Sequence, residues 1–187
     1  MLLISEYTFA IIKQNNKNVI KLNIYDYYGK RSTAMLPIIA ITMGDPAGVG
    51  PEISVKALTH KEMYDLCTPF IIGDYEAVKD ALAYTHNEQF KIREISSPQE
   101  AKGEFGTIDL FNMGFLKPNG WEYKKVSRLT GDAAYRYVEK SIEFANAGLI
   151  HGVATGPINK EAINLAGHHY SGHTEIFATL TNTKNYA

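Results

Sequence analysis

Residues 153–175 read VATGPINKEAINLAGHHYSGHTE. The stretch continues a short apolar run, residues 152–155, with the composition of a buried strand end. Gly156-Pro157 stops that run. Asn159, Lys160 and Glu161 then open a short helix, with Ala162, Ile163, Leu165 and Ala166 on its apolar side. Gly167 accepts the left-handed backbone that ends a helix. The tail from 168 to 175 carries three histidines, a threonine and a glutamate. An open α/β sheet puts its chemistry on loops of this kind, just past a strand and helix.

The same unit recurs upstream. Residues 36–43, LPIIAITM, are a continuous apolar run between turn residues, as expected of a strand buried on both faces. Gly44-Asp45-Pro46-Ala47-Gly48-Val49-Gly50-Pro51-Glu52 follows. Its glycines permit a tight turn, Pro51 suits a first helical turn, and Glu52 favours the helix N-terminus. Either a tight strand-to-helix turn or a ligand loop fits this spacing, which is neither GxGxxG nor a Gly-Lys-Ser/Thr phosphate loop. Residues 69–73 read as a second strand. Asp74 is placed to cap a helix over 76–84, with Ala77, Ala81 and Leu82 on one face. Strands are expected at 90–95 and 107–113, and an excursion at 114–129.

The longest helix is expected from 131 to 148, where Ala134, Val138, Ser141, Ile142 and Ala145 recur at helical spacing. Arg136 and Lys140, and Glu139 and Glu143, are like-charge pairs four apart, so its outer side reads as a solvated face. The order strand, helix, strand, helix gives an α/β domain with a largely parallel sheet. Residues 1–34 differ, being rich in Asn, Lys and Tyr. Strands at 7–12 and 19–25 around an Asn-rich turn would make a hairpin; a loosely held extension is the alternative. The domain proper is expected over 35–187.

Net charge is only −1, which gives no electrostatic case for nucleic acid or an anionic membrane surface. No apolar run reaches the ~20 residues of a membrane span, and the first residues lack the pattern of a signal peptide. The single cysteine, Cys67, sits in an apolar context and reads as a buried thiol in a reducing compartment, so a cytoplasmic location is expected.

His169 and His173 stand four apart, a spacing that on one helix face would suit a shared metal. Gly167 and Gly172 bracket the segment and argue against a helix there, leaving a loop of locally bonded histidines as the other reading. Thr174 suits either a ligand contact or a cap. Lys160, past a strand end, would bind a phosphate or carboxylate as a point charge, or be an ordinary surface lysine.

Four of these motifs together carry a resemblance. GDPAGVGPE at 44–52, GDAAY at 131–135, GPINK at 156–160 and GHTE at 172–175 occur in the order seen in the 4-hydroxythreonine-4-phosphate dehydrogenase family of vitamin B6 biosynthesis. The chain resembles the N-terminal portion of that family. The resemblance implies an isocitrate/isopropylmalate-dehydrogenase-like fold whose C-terminal part is missing here, and a homodimer. It implies NAD- or NADP-dependent oxidation and decarboxylation of 4-phosphooxy-L-threonine to 3-amino-2-oxopropyl phosphate, with a divalent metal (Zn, Mg or Co). By position, His173 and Thr174 match the family's substrate-contacting pair, which replaces the metal reading of His173. Asp45 and Lys160 match motif positions and are expected to line the site. The family's metal-binding histidines lie beyond the position of Ala187, so none is expected in this chain, and the chain alone is expected to be inactive. The alternatives are a sibling dehydrogenase of D-erythronate or D-threonate 4-phosphate, and a non-catalytic remnant.

Overall fold

The computed structural model describes residues 13–15, 18–20 and 36–184. The core is a five-stranded, wholly parallel sheet. Its strands are β3 (Ile38–Thr42), β4 (Thr68–Gly73), β5 (Lys91–Glu94), β6 (Thr107–Asn112) and β7 (Gly152–Thr155), in the order β5-β6-β4-β3-β7. The expected order of strands and helices is thus observed. Ala40, Phe70, Ile71, Ile72, Ile108, Leu110 and Val153 are wholly buried. Full burial of such a side chain contributes about 1.5–3 kcal/mol, which is why the central strands read as unbroken apolar runs.

The helices are α1 (Gly50–Leu58), α2 (Glu62–Leu66), α3 (Tyr75–Tyr84), α4 (Arg128–Asn146), α5 (Lys160–Leu165) and α6 (His173–Leu180). α1 packs on α3. α4 lies against β3, β4 and β7, and packs on α5 and α6. β6 sends the chain through the 114–127 excursion and along α4, which returns it to the far side of β3 as β7.

Several sequence expectations are corrected. α4 starts at Arg128, one turn before Gly131, because the Ser127 hydroxyl accepts the Thr130 N–H and caps it there. Its outer face is not merely solvated: Arg136 pairs with Glu139 at 2.8 Å and Lys140 with Glu143, both three apart, a spacing that suits helical ion pairs as well as four does. Leu165 is 55% exposed rather than on the buried side of α5, which rests on Ala162 and Ile163. The segment between Gly167 and Gly172 is not helical, as expected, and the next helix starts only at His173. The 7–12 strand lies outside the described residues. Part of the Asn-rich segment expected as a turn is strand, with β1 (Lys13–Asn15) pairing antiparallel with β2 (Asn18–Ile20).

Candidate functional site

The turns after β3 and β7 are pressed together by backbone alone. The Asp45 N–H donates to the Pro157 carbonyl at 2.9 Å, and the Gly156 N–H to the Thr42 carbonyl at 2.7 Å. A Cβ on Gly44, which has φ +78°, would sit 2.4 Å from the Pro157 oxygen. A Cβ on Gly50 would sit 2.0 Å from the Met43 oxygen. These two glycines of the 44–50 turn are therefore required by close approach of the protein to itself, which favours the tight-turn reading of that motif.

Asp45 is buried behind this contact. Its Oδ1 accepts the Ala47 N–H at 2.9 Å, and the Thr130 hydroxyl faces it from the first turn of α4. Burial raises its pKa above the ordinary carboxylate value, against the stabilising pull of those two donors.

Beyond β7, the Asn159 side chain caps α5 by accepting the Ala162 N–H at 3.0 Å. Lys160 is the first residue of that helix. It has no hydrogen-bond or ion-pair partner among the described residues. Its Cε lies 4.0 Å from where a Cβ on Gly172 would sit, so its side chain runs past the start of α6. There the N–H groups of residues 172–175 have no partner among the described residues, and Gly172 supplies no side-chain cap. The Glu175 carboxylate turns back to accept the Ser171 N–H at 2.7 Å and its hydroxyl at 2.8 Å. Those bonds hold its pKa below the usual value. Thr174 is exposed in the first turn of α6.

The His173 ring faces the Gly156 backbone, while its Nε2 is buried without a partner. The structure thus gathers three of the four expected residues, Asp45, Lys160 and His173, around the turn after β7, with Thr174 adjoining. His168 is placed elsewhere: its Nε2 meets an Asp132 carboxylate oxygen at 2.6 Å, and its ring stacks on Tyr135 at 3.7 Å. Among the described residues no group of three or more His, Cys, Asp or Glu side chains converges to hold a metal. These residues alone therefore do not fit the metal that the family resemblance implies.

Burial lowers the His173 pKa from 6.5, and the Gly156 backbone works the other way. Below about pH 6.5 the unfolded ring takes up a proton that the folded ring resists. Stability is therefore expected to be complete above that pH and to fall below it, by at most about 1.4 kcal/mol per unit. Urea midpoints compared between about pH 7.5 and about pH 5.5 should differ less in His173→Asn than in the parent. An equal difference in both proteins would refute this assignment.

Sequence reasoning missed Thr130, Tyr137 and the part played by Asp74. Asp74 stands at the start of α3 as expected, but its carboxylate does not cap that helix. It accepts the Leu116 N–H at 2.8 Å and the Tyr137 hydroxyl at 2.5 Å instead. The available signal was the seven-residue spacing of Thr130 and Tyr137, which sets both on one helix face.

Residues 65–187 match the family described as pyridoxal phosphate biosynthetic protein PdxA. The chain belongs to the PdxA family. A Clostridium botulinum relative is 44% identical over 149 residues, covering 80% of this chain and 44% of its own length. The D-threonate 4-phosphate dehydrogenase of Cupriavidus necator is 41% identical over 148 residues, covering 79% of this chain and 44% of that protein. The crystal structure of a 4-hydroxythreonine-4-phosphate dehydrogenase from Burkholderia phymatum superposes with a TM-score of 0.78 at 42% identity, covering 81% of this chain and 46% of that one. This PdxA-family chain thus spans somewhat under half the length of the relatives it matches, and its α/β sheet is the one they share. The relatives it matches are named as dehydrogenases.

Proposed function

We propose that this chain supplies the strand-end half of a PdxA-type dehydrogenase site, which oxidises a 4-phosphorylated, 3-hydroxylated four-carbon acid with NAD or NADP. A bound nicotinamide would accept the hydride from C3; with the hydroxyl proton lost, the resulting β-keto acid would release its carboxylate as CO2. The supporting observation is the convergence of His173, Lys160 and the unpaired N–H groups of α6 at the turn after β7, within a family whose named members are dehydrogenases of such phosphates.

In this reading the amides opening α6 and the Lys160 ammonium hold an anionic oxygen of the substrate. Thr174 contributes a hydroxyl. His173, kept neutral by burial, presents a hydrogen-bonding nitrogen rather than a charge. A homodimer in the cytoplasm and a divalent metal are part of the same proposal, the metal being held by residues other than those described here. 4-Phosphooxy-L-threonine and D-threonate 4-phosphate both fit. They differ at C2, where one has an amine and the other a hydroxyl. The relatives' names favour D-threonate 4-phosphate through the Cupriavidus protein and 4-hydroxythreonine 4-phosphate through the Burkholderia structure.

Titrating the 15N-labelled chain with each substrate, and with inorganic phosphate as control, tests the proposal. Resonances of residues 156, 160 and 172–175 should move with a substrate. Lys160→Met should weaken that binding by about tenfold, as expected on removing a charged hydrogen bond. Shifts elsewhere with none at 172–175, or no response to either substrate, would reject it. Whichever substrate binds more tightly identifies the C2 group that the site accepts.

A further inference from the structure

A buried polar arrangement lies behind the site. β3 and β4 are neighbours, and each ends next to an aspartate that is almost wholly buried: Asp45 at 5% exposure and Asp74 at 1%. α4 offers one hydroxyl to each. Thr130 faces Asp45, and Tyr137, two turns further along the same helix face, donates to Asp74 at 2.5 Å. Tyr137 is itself fully buried, and the Asp45 charge acts on it. Upstream, the Ser127 and Thr130 hydroxyls are 2.9 Å apart, which fixes the Thr130 side chain at the helix cap. Asp74 also takes the Leu116 N–H, which fixes the root of the 114–127 excursion whose far end returns to α4.

We propose that Tyr137 is a positioning residue for Asp45: bonded to Asp74, it fixes the height and rotation of α4, and so sets where Thr130 holds the Asp45 carboxylate. The spacing of two hydroxyls along one helix thereby sets the separation of two strand-end carboxylates. A helix–sheet contact made only of apolar side chains would tolerate small slides. The buried Tyr137–Asp74 hydrogen bond does not, because sliding would strand a carboxylate and a hydroxyl away from water. The functional meaning of this rests on the reading of Asp45 as a site-lining residue.

Amide hydrogen exchange on the 187-residue chain tests it, with Ala47 reporting on Asp45, Leu116 on Asp74 and Ile72 on the sheet core. In Tyr137→Phe, exchange at both Ala47 and Leu116 should quicken by about tenfold more than at Ile72. The side-chain carboxyl 13C resonance of Asp45 should move as well. In Thr130→Val, Ala47 should quicken while Leu116 stays as in the parent. Faster exchange at Leu116 alone in Tyr137→Phe would show that Tyr137 acts only on the excursion. Equal quickening at all three amides would show a general loss of stability. Either result overturns the proposal. Should Tyr137→Phe fail to fold, Asp74→Asn keeps the shape, weakens the same bond and is read by the same criteria. Loss of substrate binding in the parent protein would defeat the functional reading of Asp45 while leaving the exchange result intact, so the two failures are distinguishable.

Discussion

Gly131→Ala is expected to cost this chain at least about 3 kcal/mol of folding stability, although alanine is the better helix former by about 1 kcal/mol. Gly131 lies in the first turn of α4 and is buried. A Cβ there would sit 2.0 Å from the Ala162 carbonyl oxygen, 2.2 Å from its carbon and 2.7 Å from the Ile163 nitrogen. All three are backbone atoms of α5, so no side-chain rotation relieves the overlap. Either α5 moves away from α4, or α4 unwinds at its start. Both routes disturb the site, since α5 begins with Lys160 and the start of α4 carries Thr130. Urea unfolding of parent and variant measures the cost, and a difference under about 0.5 kcal/mol would show that the helices separate freely. Heteronuclear spectra of the variant should show Lys160 and residues 172–175 displaced even if the sheet survives.

The second large effect is expected at the other edge of the sheet. Asp109 on β6 is 1% exposed. One of its oxygens meets Arg93 Nε at 2.5 Å, and the other accepts the Lys102 and Gly103 N–H groups at 2.8 and 3.1 Å. Arg93 also pairs with Glu104 at 2.7 Å, while its Nη2 is buried without a partner. Asp109→Ala removes three bonds and leaves a guanidinium with only Glu104. Breaking a buried pair costs about 3–5 kcal/mol. Arg93 keeps 26% of its side chain in solvent, so the expected loss is nearer about 2–4 kcal/mol. Most of that cost is the stranded charge. Arg93→Met combined with Asp109→Ala should therefore be more stable than Asp109→Ala alone. A double variant that is equally or less stable would show that the two bonds to the 102–103 turn, rather than the ion pair, carry the energy.

The sheet was legible because parallel strands covered on both faces must be apolar along their length, and residues 38–42 and 68–73 are. α4 was legible because its buried side recurs at helical spacing. What stayed hidden depends on register between elements remote in sequence. Asp74 occupies the position of a helix cap, and local reasoning stops there; its partners Leu116 and Tyr137 are brought to it by the fold. Gly131 read as the opening of a helix because the helical recurrence begins just after it, at Ala134. It is tolerated one turn inside because α5 leaves no room for a side chain. His168 read as one of three candidate histidines, but its pairing with Asp132 and Tyr135 joins α4 to the segment after α5, which only tertiary structure sets side by side. Of the candidate site, the placement of Asp45, Lys160, His173 and Thr174 past the ends of β3 and β7 was legible. The unpaired Nε2 of His173, and the hydroxyls behind Asp45, were not.

The place of β7 in the sheet has a consequence during synthesis. β3 is flanked by β4 and β7, and the Ile38 N–H reaches the His151 ring across 113 residues of chain. On the ribosome, at about 5–20 residues per second, β3 and β4 would emerge about 4–16 s before β7 can pair. Until then one side of β3 is an open hydrogen-bonding edge on an apolar strand, the kind of surface that recruits other nascent chains. Coexpression with a chaperone that shields extended apolar segments should therefore raise the soluble yield of this chain more than slowing its transcription does.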